Sequence, residues 1–206
     1  MSLKTPAIKT FLVSFILFLS IFIIPVSAQQ KTNLQIFYNL VDSSVAGINR
    51  KVSTQYVIVN YPTSNDFSVF QNQVISDFTK LGRTVLAGSN KNTADVTRIN
   101  YIIDNAKVKY GDMGRDGFFG DFIMPRGIKL SGSYSLSNRV VDSQRFNLTY
   151  TDTVAVDDVK SIENSSFPFT EAEVPSEPFF SSLFEPVVAI GSAAVAVILF
   201  FTVRSK

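Results

Sequence analysis

The stretch that decides the fold is residues 55–86, QYVIVNYPTSNDFSVFQNQVISDFTKLGRTVL. It opens on Gln55-Tyr56-Val57-Ile58-Val59-Asn60, a β-branched run too short for a helix, which reads as a buried strand. Tyr61-Pro62-Thr63-Ser64-Asn65-Asp66 is dense in turn formers, and Ser64 or Asp66 is placed to cap a helix beginning near residue 67. Over residues 67–81, Phe67, Phe70, Val74, Ile75, Phe78 and Leu81 share one helical face, and Gly82 stands where a C-cap glycine belongs. No polar group is set among these aromatics, so the stripe reads as core rather than as a site. Thr84-Val85-Leu86 closes the unit as a short strand. A strand, helix, strand crossover of this length pairs its strands in parallel and right-handed.

Working outward, residues 32–50 carry Leu34, Phe37, Leu40, Val41, Val45 and Ile48 at helical spacing, with Ser43, Ser44 and Asn49 on the other side. Beyond a polar loop at residues 88–95 the period changes from 3.6 to 2. Ile99, Tyr101 and Ile103 are followed by Ala106, Val108 and Tyr110, with a phase slip at Asp104-Asn105 that reads as a bulged long strand or a tight hairpin. Ile128, Leu130, Gly132, Tyr134 and Leu136 alternate with Lys129, Ser131, Ser133 and Ser135, a strand with one wet face. Ser143-Gln144 is read as the next turn, after which Phe146, Leu148 and Tyr150 keep the period. The expected fold class is α+β. A small mixed sheet, a parallel strand-helix-strand followed by an antiparallel meander, carries two amphipathic helices, and one C-terminal transmembrane helix is added.

That helix is expected over residues 186–203, PVVAIGSAAVAVILFFTV, an uncharged run between Glu185 and Arg204-Ser205-Lys206. At 1.5 Å per residue it spans about 27 Å, close to the hydrocarbon thickness of a bilayer. Arg204 and Lys206 then hold the C-terminus in the cytoplasm. At the other end Lys4 and Lys9 precede an apolar run at residues 11–24, and Val26 and Ala28 suit the −3 and −1 positions of a signal-peptidase site. Cleavage after Ala28 is expected, with an uncleaved signal anchor as the competing reading. The absence of cysteine rules out a lipidated cysteine and every disulfide, which fits a bacterial envelope protein. The expected organisation is a signal peptide at 1–28, an extracytoplasmic α/β domain at 29–151, an acidic proline-containing tether at 152–185, the span at 186–203 and a cytoplasmic tail at 204–206. This places the chain in the bacterial inner membrane, single-pass, with its domain in the periplasm. Small residues at Ala189 and Ala193, and at Ser192 and Ala196, add a homodimer through the span.

Charge is uneven: residues 29–151 hold 14 Lys and Arg against 9 Asp and Glu, while residues 152–185 hold Lys160 against 8 acids. The bland reading is a solvated basic body on an acidic stalk; the functional one rests that body on anionic lipid, glycan or its own stalk. Neither half is charged enough for nucleic acid. With no histidine and no cysteine, His-based triads, thiol nucleophiles and the usual zinc sites fall away together. No enzyme activity, catalytic residue, metal or cofactor is expected.

One stretch looks chemical, Gly111-Asp112-Met113-Gly114-Arg115-Asp116-Gly117-Phe118-Phe119-Gly120-Asp121. Its carboxylates do not match a calcium loop, and its glycines lack the Gly-Lys-Ser/Thr ending of a phosphate loop. It reads as a hairpin loop between two strands. Phe118 and Phe119 at its tip make Asp112, Arg115, Asp116, Phe118, Phe119 and Asp121 a candidate partner-contact set, for an envelope protein, a glycan or the lipid surface. The alternative is a carboxylate-dependent hydrolase using Asp112, Asp116 or Asp121. Downstream, residues 156–164 suit one or two helical turns. Residues 167–180 form a proline-punctuated spacer, whose earlier phenylalanines are suited to pack back on the domain.

The run from Gln55 to Tyr150, with its Phe67 to Leu81 stripe, Gly82, and the strands around Tyr101-Ile102-Ile103, resembles a small α/β module of bacterial envelope proteins. It is shared by the N-terminal domain of TolB, the CsgG curli-secretion family and the outer-membrane lipoprotein activators of penicillin-binding proteins. The resemblance covers about half of the chain and implies a non-enzymatic binding or assembly module. This chain departs from the lipoproteins in lacking a lipidated cysteine.

Overall fold

The computed structural model describes residues 30–62, 65–88, 95–117, 120–138, 140–177 and 181–203. The expected signal peptide at 1–28, the tail at 204–206 and Phe118 and Phe119 lie outside these residues. Helix α1 (Asn33–Asn49) starts at Thr32 through a capping box. The Thr32 hydroxyl accepts the Gln35 N–H at 3.2 Å, and the Gln35 side-chain oxygen accepts the Thr32 N–H at 3.0 Å. Its inner face buries Ile36, Phe37, Leu40, Val41, Val45 and Ile48.

Strand β1 (Tyr56–Asn60) leads into a 3-10 turn at Asn65–Phe70, and only then does α2 (Gln71–Lys80) begin. The helix expected from residue 67 is therefore wound more tightly over its first turn. It ends as a glycine stop requires: Gly82 takes φ +85°, Arg83 N–H donates to the Phe78 carbonyl and Gly82 N–H to that of Thr79, both at 3.0 Å. Phe70, Val74 and Phe78 are buried, whereas Leu81 turns outward at 42% exposure.

Strand β2 (Thr84–Val85) pairs in parallel with β1, as the crossover predicts, and β1 also pairs in parallel with β3 (Val96–Tyr110). The slip at Asp104-Asn105 is a register shift between Ile103 and Asn105 within one continuous strand, so the bulge rather than the hairpin is realised. A short β4 (Gly114–Arg115) pairs with the start of β5 (Phe122–Ser137), and β6 (Val141–Ala155) lies along the other side of β5. The sheet order is β2-β1-β3-β5, with β6 outermost beyond β5. Strand β5 ends at Ser137 and β6 begins at Val141, so Ser143 and Gln144 are strand residues. Gln144 is half-buried on the helix side, where Tyr134 donates its hydroxyl proton to it at 2.9 Å and Lys51 also donates, so it keeps the strand's period instead of breaking it.

Helices α1 and α2 pack on one face. The core there joins their apolar residues to Ile99, Tyr101, Ile103, Ala106, Val108, Met124, Ile128 and Leu130. Gly132 leaves room for its neighbours on β3 and β6: a Cβ there would lie 2.2 Å from the Ile102 carbonyl oxygen and 2.5 Å from the Phe146 ring. After β6 the chain runs through a 3-10 turn at Val156–Asp158, α3 (Val159–Ile162) and a second 3-10 turn at Pro168–Thr170. Val159, Ile162 and Thr170 are buried, and the Phe169 ring meets Phe37, Phe67 and Phe70 at centroid distances of 5.3, 5.6 and 5.5 Å. The first part of the acidic segment is thus held against the core.

The transmembrane expectation is corrected. Helix α4 (Ser181–Val203) forms over the apolar run, but among the described residues no helix is long and apolar enough to cross a membrane. Pro186 lies inside it directly after Glu185, leaving residues 187–203, about 26 Å of helix against about 30 Å of hydrocarbon. The fold class is the mixed α+β sheet without that span. The single-pass inner-membrane placement falls with it, as does the homodimer through it.

Candidate functional site

The ribbon of β3, β5 and β6 has a second face that no described helix covers. Because side chains alternate along a strand, the residues between the core positions all point there. Lys107 on β3 stands opposite Lys129 on β5, which stands opposite Thr149 on β6. On the next rung Lys109 faces Gly127, which faces Thr151. All three lysines and both threonines are exposed. They border a depression of about 260 Å³ whose floor is opened by the missing side chain of Gly127. Ser131, Ser133, Ser135 and Ser137 continue this face along β5. Like charges directly opposite across two strands destabilise the pair. The ion pairs among the described residues are Lys80 with Asp77 and Arg126 with Asp152, neither of which involves these lysines.

A second cavity, of about 590 Å³, follows the edge of β3 at residues 105–110, beyond the reach of β1. Phe169, Ala172 and Pro175 form part of its far wall, and Glu171 and Glu173 face it from the side opposite Lys107 and Lys109.

The most buried charge lies on the helix side. Arg126 has no exposed surface, yet it occupies the apolar phase of β5 between Met124 and Ile128. Its Nε donates to Asp152 Oδ1 at 2.8 Å, and one terminal nitrogen donates to the Lys31 carbonyl at 2.9 Å and to Asn33 Oδ1 at 2.8 Å. Asn33 in turn donates to the Tyr110 hydroxyl at 3.1 Å and the Thr170 carbonyl at 2.8 Å, and Tyr110 donates to Glu163 at 3.0 Å. Burial pushes the Tyr110 phenol up to about 12, with Glu163 adding to the shift and Asn33 opposing it. The network ties α1, β3, β5, β6 and the C-terminal segment together, and every polar group named in it has a partner, which suits a structural role. Sequence reading misses it, although an arginine in phase with Met124, Ile128 and Leu130 is its signal.

Of the sequence-derived contact set, Asp112, Arg115, Asp116 and Asp121 lie in or beside the one turn that joins β4 to β5. Asp112, Asp116 and Asp121 are exposed, and the Asp116 N–H donates to the Asp121 carbonyl at 3.0 Å to close the turn. Arg115 lies over the Phe122 ring at 4.5 Å. Gly120 is required there, since a Cβ would fall 1.8 Å from the Asp116 carbonyl oxygen. Among the described residues no group of three acidic, histidine or cysteine side chains is placed to hold a metal ion.

No family model matches the chain, and no curated protein matches it. Solved structures with partial likeness include two bacterial lipoproteins. One is a minor lipoprotein from Acinetobacter baumannii, with a TM-score of 0.32 at 12% identity over 52% of this chain and 69% of that one. The other is the rare lipoprotein B from Shewanella oneidensis, with a TM-score of 0.32 at 10% identity over 72% and 94%. A third is a putative neuraminyllactose-binding hemagglutinin homolog from Helicobacter pylori, with a TM-score of 0.30 at 8% identity over 51% and 67%. At this depth of likeness none of them carries an argument about function, and the TolB, CsgG and activator resemblance has no specific family behind it.

Proposed function

We propose that the chain is a non-enzymatic binding or assembly module of the bacterial cell envelope, and that its contact surface is the helix-free face of β3, β5 and β6. The observation that carries the reading is the lysine rung, Lys107 opposite Lys129, which has no ion pair among the described residues and lies on a face with no described helix over it. A sheet that covers one face with helices and leaves the other in a row of lysine, serine and threonine has a solvated surface ready for a polar partner. The turn bearing Asp112, Arg115, Asp116 and Asp121 stands as a second, smaller candidate contact, supported by its exposed carboxylates. No observation favours the hydrolase.

A photo-crosslinking residue at Thr149, compared with one at the exposed Asn39 of α1, tests the reading in intact cells. A discrete adduct to an envelope component from position 149 and none from position 39 is expected. Equal adducts from both, or none from either, contradict it.

A further inference from the structure

We propose that the helix-free face docks on a bilayer of anionic phospholipid, with headgroup phosphates meeting the exposed Lys107, Lys109 and Lys129, a proposal that rests on the reading of this face as the contact surface. Three lysines from two adjacent strands line one shallow depression with their apolar stems, and their exposed side chains carry the charge to its rim. Thr149 and Thr151 border its far side. Lys107 and Lys129 are direct cross-strand partners, so each raises the cost of the other until an anion is shared between them.

Among the described residues no carboxylate forms an ion pair with these lysines. Lys107 and Lys109 also line the cavity that Glu171 and Glu173 face, yet neither glutamate forms an ion pair with a lysine among the described residues. Arg145 on β6 extends the positive charge along the same face, against Asp104 at its edge. The lysines are exposed and the depression is open, so the site does not enclose a small anion. It presents separate charges along a flat sheet, and an anionic bilayer answers that with many phosphates at once.

The test uses the full chain with Thr149 replaced by cysteine, the only cysteine in the molecule, carrying an environment-sensitive fluorophore that reports contact of this face and not of α4. Vesicles of phosphatidylglycerol are compared with vesicles of phosphatidylcholine and with soluble glycerol phosphate. At low salt the expected result is at least tenfold tighter binding to phosphatidylglycerol with a blue shift at position 149. The triple variant Lys107→Gln, Lys109→Gln, Lys129→Gln, with an unchanged circular dichroism spectrum, should lose this preference, as should the parent at high salt. Equal binding to both vesicles, a preference that survives the triple substitution, or saturation by glycerol phosphate alone would overturn the proposal. If position 149 crosslinks in cells while the lipid preference is absent, the contact surface stands and the lipid falls; if both are absent, both fall.

Discussion

Arg126 on β5 and Asp152 on β6 are register partners, and the fully buried guanidinium meets the carboxylate through both Nε and a terminal nitrogen. A buried pair of this kind is costly to break from one side, because the surviving charge stays in the core. Asp152→Ala is expected to lower stability by about 3 kcal/mol, near the low end for such pairs since Asp152 is partly exposed. In Arg126→Met with Asp152→Leu no charge remains buried, and part of the loss is recovered. Urea unfolding of the two variants checks the difference.

Gly132 lies under the Phe146 ring and against the Ile102 backbone, where a Cβ would stand 2.2 Å from the carbonyl oxygen. A backbone atom at that distance cannot swing away as a side-chain tip does. Gly132→Ala is expected to cost about 1–3 kcal/mol, with Gly127→Ala, where the added Cβ meets its nearest atom at 3.8 Å, as the mild control. Thermal unfolding of both variants reads the contrast.

Phe169 is the anchor that holds the C-terminal segment against Phe37, Phe67 and Phe70. Phe169→Ala should destabilise the body by about 2–3 kcal/mol, below the range for a fully buried ring because Phe169 is half-buried. It should also raise amide exchange at residues 163–172 before any other part of the fold.

Buried Tyr110 and half-buried Asp42 titrate at opposite ends of the pH scale. The Tyr110 phenol titrates at about 12 in the folded chain against an ordinary value of 10.0. The folded state therefore holds the proton more tightly, and the stability this contributes is intact below pH 10 and lost as pH rises toward 12. Tyr110→Phe is expected to flatten the alkaline fall in stability. Asp42 is raised above 3.8 by burial, with the nearby Asp77 adding to it. Here too the folded state binds the proton better, so the charged carboxylate costs stability as pH rises through the carboxylate range. Asp42→Asn, which still accepts from Gln73, should be more stable than the parent at about pH 7 and match it near pH 3. Urea midpoints across pH measure both.

Much of the architecture is legible in the sequence because burial imposes its own period. The stripe from Phe70 to Phe78 and the alternation from Ile128 to Leu136 mark α2 and β5, and Gly82 marks a real stop. The misreadings share one cause: local propensity speaks where a distant contact decides. Ser143 and Gln144 look like a turn, but Tyr134 and Lys51 hold Gln144 in a strand. Asp152 and Thr170 look like tether, but Arg126 and Asn33 draw them into the core network. The apolar run at residues 186–203 looks sufficient for a span until Pro186 and Glu185 are set against its length. For the candidate face, Lys129 and the serines are visible as a wet edge of β5, whereas Lys107 becomes its neighbour only through the register that the bulge at residues 103–105 sets.

The most direct test of the contact face uses the absence of native cysteine. Single cysteines at Thr149, Thr151 and, as the control on α1, Asn39 are labelled with a cell-permeant maleimide in the purified protein and in intact cells. Similar rates at all three positions are expected in purified protein, and in cells at least a tenfold slowing at 149 and 151 with none at 39. Rates at 149 and 151 that are as fast in cells as in solution would contradict a covered sheet face.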